Sequence, residues 1–215
     1  MKNLGLFALA LLVVAQFSFA QKDAFVDESS ETPIGFGLRL GLGASNYRHH
    51  VKLNPAGKDL KLNPAFALST GLAMQVGLSK WLSISPELQY SLYRANSEQE
   101  VENSNFMSDL YEVGVYMHTL ELPVLLRFNL GDAAYVELGP QVGLNLYSKV
   151  YINGKNGKYY RPDMNLFAFG VAGGGGFNLS GILVGIRVYS GILEYAKDAK
   201  GIPWSVQFSI TPYIF

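Results

Sequence analysis

The chain has 215 residues with 17 basic and 17 acidic side chains, so no gross charge imbalance points to nucleic acid. It contains no cysteine, which excludes disulfides, thiolate metal sites and a lipid-modified N-terminal cysteine. The length suits a single β-barrel domain.

Met1–Ala20 has the layout of a secretory signal peptide: Lys2 is the positive start, Leu4–Ala15 the apolar run, and Ser18-Phe19-Ala20 the small-residue cleavage region. Residues 21–32 form a polar, acidic leader with little to bury, expected to be flexible. Residues 33–215 hold the folded domain. No second long apolar run follows, which leaves a secreted protein, a periplasmic protein or an outer-membrane barrel.

From Pro33 onward the chain alternates with period two, the mark of strands. Pro33–Tyr47 sets Phe36, Leu38, Leu40 and Leu42 against Gly37, Arg39, Gly41 and Gly43. Ala65–Gly77 sets Phe66, Leu68, Leu72 and Met74 against Ala67, Ser69, Gly71 and Ala73. Leu82–Tyr93 opposes Ile84, Leu88 and Leu92 to Ser85, Glu87 and Gln89. His118–Asn129 and Ala134–Tyr147 carry Leu122, Leu126, Leu138 and Val142 on one face, with Glu121, Arg127, Glu137, Gln141 and Asn145 on the other. Asn165–Phe177 opposes Phe167, Phe169 and Val171 to Ala168, Gly170 and Gly174. Ile182–Ile192 and Trp204–Phe215 repeat the pattern around Arg187 and Gln207. Eight strands of this length can each cross a membrane at a tilt, the minimum being about 9–11 residues.

The connections alternate too. Short turns are predicted near Leu78–Trp81, Leu130–Ala133 and Asn178–Gly181, and long polar loops near Arg48–Asn63, Arg94–Met117, Lys149–Met164 and Leu193–Pro203. That is the habit of outer-membrane barrels, with tight periplasmic turns, long outer loops and both termini periplasmic.

Two inside-out barrels fit this pattern. A lipocalin-like soluble carrier would turn the apolar face inward, whereas a membrane barrel turns it toward lipid. Volume favours the second, because an eight-strand interior is only just wide enough to be filled by side chains and the bulky face would overfill it. The Gly-, Ala- and Ser-rich face suits a narrow lumen. Its charges, Arg39, Glu87, Glu121, Arg127, Glu137 and Arg187, are three of each sign and are expected to neutralise one another inside the tube. Trp81 and Tyr135 near the turns, and Tyr90 and Trp204 near the opposite strand ends, are expected in aromatic girdles. Tyr47, Tyr93, Tyr116, Tyr147, Tyr189 and Tyr195 fall near the same outer ends.

The pair TLELPVLLRFNL and YVELGPQVGLNL, then LFAFGVAGGGGFNL and the terminal TPYIF, resembles the small outer-membrane β-barrel family common in Bacteroidetes, often labelled PorT-like. The likeness spans about Pro33 to Phe215. It implies an integral outer-membrane protein of roughly eight strands and no defined activity. Phe215 resembles the terminal aromatic signal read by the barrel-assembly machinery, although Val206, Phe208, Ile210 and Ile214 have the opposite parity to it.

Nothing in the sequence supplies catalytic, cofactor or metal chemistry. Adjacent His49 and His50 point apart in an extended chain, and His118 and Glu121 lie on opposite faces of a strand, so no relay forms. Gly173–Gly176 lacks the Lys-Ser/Thr and helix of a phosphate loop. The expectation is therefore a monomeric, all-β, eight-stranded antiparallel up-and-down transmembrane barrel. Its lumen is filled, its role is structural or interactive through outer loops, and it has no enzymatic step. Its partners would be outer-membrane lipids, lipopolysaccharide, the assembly machinery and an unidentified protein. A narrow passive pore is the alternative.

Overall fold

The computed structural model describes residues 34–48, 51–52, 59–60, 62–102, 108–153, 158–160, 165–194 and 201–214. The signal peptide, the leader, His49, His50, Tyr195 and Phe215 lie outside them. Eight long strands are present: β1 (Ile34–Arg48), β2 (Asn63–Gly77), β3 (Leu82–Glu102), β4 (Ser108–Leu130), β5 (Ala134–Asn153), β6 (Phe167–Leu179), β7 (Ile182–Gly191) and β8 (Ile202–Ile214). Each pairs antiparallel with its sequence neighbour, and β8 pairs with β1, which closes the sheet into an up-and-down barrel. Closure satisfies every edge, as a strand in lipid requires.

One end is drawn tight by short turns. Ser180 and Gly181 form the two-residue turn between β6 and β7, both at positive φ (53° and 89°), and the Asn178 Oδ1 accepts a 2.9 Å hydrogen bond from the Gly181 N–H. These dihedrals match the right-handed twist of the flanking strands. Gly131, at φ 68°, starts the turn between β4 and β5. Leu78–Trp81 joins β2 to β3, with the Leu78 N–H donating to the Leu82 carbonyl at 2.9 Å.

At the other end the expected loop Arg94–Met117 is largely strand. β3 and β4 run on as a two-stranded ribbon whose register continues from Tyr93↔Met117 to Glu102↔Ser108, which leaves only residues 103–107 as connection. The acidic residues of this segment do not interrupt the pairing, because the ladder is made by peptide groups whatever side chains they carry. β5 accompanies the ribbon as far as Asn153↔Glu112, and Lys158–Tyr160 folds back onto Val150–Ile152. Residues Val51–Lys52 and Asp59–Leu60 pair within the segment between β1 and β2.

Two irregularities shape this end. Between His118 and Thr119 the β4–β5 register slips, with His118 opposite Tyr147 but Thr119 opposite Asn145, so Leu146 is an extra residue. The slip flips the faces of β5: Ser148 and Val150 are buried, while Tyr147 and Lys149 turn outward. In β2 the register shifts between Pro64 and Leu68, and the Ser45 hydroxyl bridges the gap. It accepts from the Arg94 N–H at 2.7 Å and donates to the Arg94 carbonyl at 2.8 Å.

The apolar face is outside. Phe36 (61 % exposed), Leu72 (60 %), Leu138 (58 %) and Phe177 (62 %) stand on the outer wall, while all six charged residues of the small-residue face are buried. This arrangement rules out the carrier alternative, which needs the opposite orientation.

Candidate functional site

The interior follows from strand parity. Residues that share a face with Arg39 on β1, Glu87 on β3, Arg127 on β4, Glu137 on β5 and Arg187 on β7 all point inward. Glycines make the room. A Cβ on Gly174 would lie 2.2 Å from the Ile186 carbonyl oxygen, and one on Gly176 would lie 2.1 Å from that of Val184. Gly174 and Gly176 therefore let β6 approach β7 closely where Arg187 crosses the tube.

Arg187 forms a fork to Glu87, with Nη1 at 2.5 Å from Oε2 and Nη2 at 2.9 Å from Oε1. Its Nε and Nη2 also donate to Oε1 of Glu137, at 2.8 and 2.5 Å. Arg127 donates to the other oxygen of Glu137 through Nε (3.2 Å) and Nη2 (2.9 Å), and to the Gln75 amide oxygen at 2.7 Å. Glu137 is thus held between two guanidinium groups, each oxygen serving one of them. Such charge-assisted, forked contacts offset the cost of placing ions away from water. Arg39 approaches Glu87 only to 3.7 Å, and its Nε and Nη2 have no hydrogen-bond partner among the described residues. Three arginines therefore face two carboxylates, which leaves one positive charge in excess.

Glu121 stands apart from this group, a departure from the expectation of three mutually neutralised pairs. No cation lies within salt-bridge distance of it among the described residues. It accepts instead from Gln89 Nε2 (2.9 Å), Ser91 Oγ (2.5 Å) and the Tyr93 hydroxyl (2.7 Å). Sequence parity placed Glu121 inside but could not say which strand's groups it would meet.

Aromatic and apolar side chains close the lumen beyond Glu121. Tyr47, Leu62, Tyr93, Ala95, Val115, Met117, Val150 and Tyr189 form one buried cluster, in which the Tyr93 and Tyr189 rings lie 5.7 Å apart. Tyr47, Tyr93 and Tyr189 are therefore core residues and not part of an outer girdle. Their odd numbering matches Arg39, Glu87 and Arg187 on the same strands, a signal the sequence does contain. The same correction applies to Tyr135. It is buried, packed with Ala73, Leu183 and Tyr213, and the Arg127 guanidinium lies 5.0 Å from its ring centroid. A cavity of about 210 Å³ opens at the turn end, with Gln75, Lys80, Arg127, Tyr135 and Tyr213 among its lining.

Outside, Trp81 is exposed and stacks on Phe128 at the turn end, with ring centroids 6.2 Å apart. At the ribbon end Tyr90 hydrogen-bonds the Nδ1 of His118, and His118 packs against Tyr147. Trp204 lies half-buried on the same rim. His118 and Glu121 are on opposite sides of the wall.

A closed tube with apolar groups outside and ions inside belongs in an outer membrane, and the family pattern for the outer membrane protein beta-barrel domain matches residues 19–194. The chain is a member of that family. This outer membrane protein beta-barrel domain has solved structural neighbours at low sequence identity. Neisserial surface protein A superposes with a TM-score of 0.44 at 8 % identity, covering 83 % of this chain and 96 % of that one. Ail, the attachment invasion locus protein of Yersinia pestis, gives 0.42 at 11 %, covering 82 % and 97 %. An outer membrane channel from Pseudomonas putida F1 gives 0.26 at 10 %, covering 88 % and 100 %. No curated protein matches the sequence.

Proposed function

We propose that this is a sealed, monomeric outer-membrane barrel that carries its β3–β4 ribbon into the cell exterior for structural or partner-binding work. The observation that carries the reading is the length of that ribbon. β3 and β4 have 21 and 23 residues, about twice the 9–11 needed to cross a bilayer, and the excess lies wholly at one end. The short turns, and with them both ends of the domain, then lie in the periplasm. The signal peptide exports the chain, and Phe215 serves the assembly machinery. The strand LELPVLLRF and its Gly-Pro-containing partner support a finer kinship with the PorT-like barrels of Bacteroidetes.

The filled lumen speaks against the pore alternative. Solute passing through would meet Tyr135 and Tyr213, then the Arg/Glu group, then the Tyr93–Tyr189 cluster. A planar bilayer holding the purified barrel should show no unitary conductance steps. Cysteines placed at Asp132 and at Asn105 test orientation: in intact cells an impermeant thiol reagent should label the second and spare the first. Labelling at Asp132 alone would refute the reading. Removal of residues 98–112 should abolish capture of a partner while leaving heat-modifiable gel mobility intact.

A further inference from the structure

We infer that Arg94 and Lys149, flanking Tyr116 on the outer wall, form a binding site for the phosphate of an outer-leaflet lipid headgroup. Three strands contribute one residue each to a single row. Arg94 on β3 pairs with Tyr116 on β4, and Tyr116 pairs with Lys149 on β5. Lys149 reaches this row only because the extra residue Leu146 flips the outer end of β5; without that slip it would point into the lumen.

Height decides what the row meets. The apolar outer face of β3 begins at Leu82 and ends at Leu92, which lies beside His118 and Tyr147. With a rise of about 3.3 Å per residue and a tilt of about 40°, those ten steps span roughly 25 Å, the height of the apolar band of a membrane barrel. The Arg94–Tyr116–Lys149 row is the next one outward, roughly 5 Å higher by the same geometry. It therefore sits at headgroup level, above the Tyr90–His118–Tyr147 rim.

The row is shaped for an anion. The Arg94 guanidinium stacks 4.5 Å from the Tyr116 ring centroid and donates through Nη2 to the Tyr116 hydroxyl at 2.9 Å, which fixes its plane. Its Nε is buried, so the terminal nitrogens are the ones that can face a ligand. A planar, pre-oriented guanidinium beside an ammonium suits a phosphate, which accepts several charge-assisted hydrogen bonds. The adjoining Asn96–Gly114 register pair is neutral.

The site rests on the proposed orientation for its choice of leaflet, but its test does not. The full mature chain is placed in nanodiscs of zwitterionic lipid and titrated, by native mass spectrometry, with a bisphosphorylated lipid-A-type glycolipid and with the same glycolipid dephosphorylated. Two charge-assisted contacts predict a preference of about tenfold or more for the phosphorylated form. Arg94→Gln/Lys149→Gln should reduce it to less than about twofold, while Lys80→Gln at the turn end keeps it. Heat-modifiable mobility establishes that each variant is folded. Lys149→Gln alone, which leaves the Arg94–Tyr116 stack in place, should lose part of the preference. Millimolar inorganic phosphate should fail to displace the lipid; displacement would make free phosphate the ligand and overturn the lipid assignment. Equal affinity of the unmodified protein for both glycolipids, or an undiminished preference in the double variant, would also overturn it. Thiol labelling in cells reports orientation separately, so either conclusion can fail while the other stands.

Discussion

Glu137→Gln is the sharpest test of the interior. Glu137 receives donors from both Arg127 and Arg187, and all three side chains are almost fully buried. Neutralising it leaves three arginines facing Glu87 alone, so the excess charge rises from one to two. Removing one partner from a buried ion pair costs about 3–5 kcal/mol, more than a hundredfold in the folding equilibrium. Glu121→Gln provides the contrast, because Glu121 has hydroxyl and amide donors but no cation within salt-bridge distance; about 0.5–1.5 kcal/mol is expected there, the ordinary net worth of a hydrogen bond. Both are read by urea titration of the barrel folded into lipid vesicles, following tryptophan fluorescence and heat-modifiable mobility. A double-mutant cycle with Arg127→Met should give a coupling energy of at least about 1 kcal/mol. If Glu137→Gln costs no more than Glu121→Gln, the ion cluster is not a major support of this fold and the reasoning fails.

Two more predictions concern the wall and the turns. Leu88→Arg places a charge near mid-height on the outer face and should cost about 2–4 kcal/mol in vesicles, measured by the same titration; a negligible cost would mean that Leu88 does not face lipid. Ser180→Asn puts a residue that tolerates the left-handed region before Gly181 and should raise stability by a few tenths of a kcal/mol, since Asn-Gly suits this turn. A lower urea midpoint would contradict the assigned geometry.

The alternation made the barrel readable because the two faces differ so sharply in size: Leu138 beside Gly139, or Phe169 beside Gly170, leaves little choice of side. The three tight turns were equally plain in their Gly, Asn, Asp and Ser content. What escaped depended on contacts between strands. The extra residue at Leu146 reverses the faces of one strand end, and only the slip in pairing with β4 reveals it, although two large neighbours, Leu146 and Tyr147, hint at it. The ribbon reads as loop in the sequence because Glu98, Glu100 and Glu102 look unstructured when no partner strand is considered. Tyr135 and the inner tyrosines lie near strand ends, where a girdle is expected, but their parity places them inside. The isolation of Glu121 is a matter of register, which one strand's sequence does not encode.

The hydroxyl of Ser45 gives the cylinder a seam. Along most of the wall each strand is stitched to its neighbour by a ladder of peptide groups, but beside Arg94 a single side chain does that work, just beneath the protruding ribbon. A seam held by one stitch opens at lower cost than the surrounding fabric, so the Arg94 amide should exchange its proton with solvent ahead of the amides deeper in β3. The ribbon is thereby hinged to a rigid tube, and a ligand gripping Arg94 from outside would tighten that hinge.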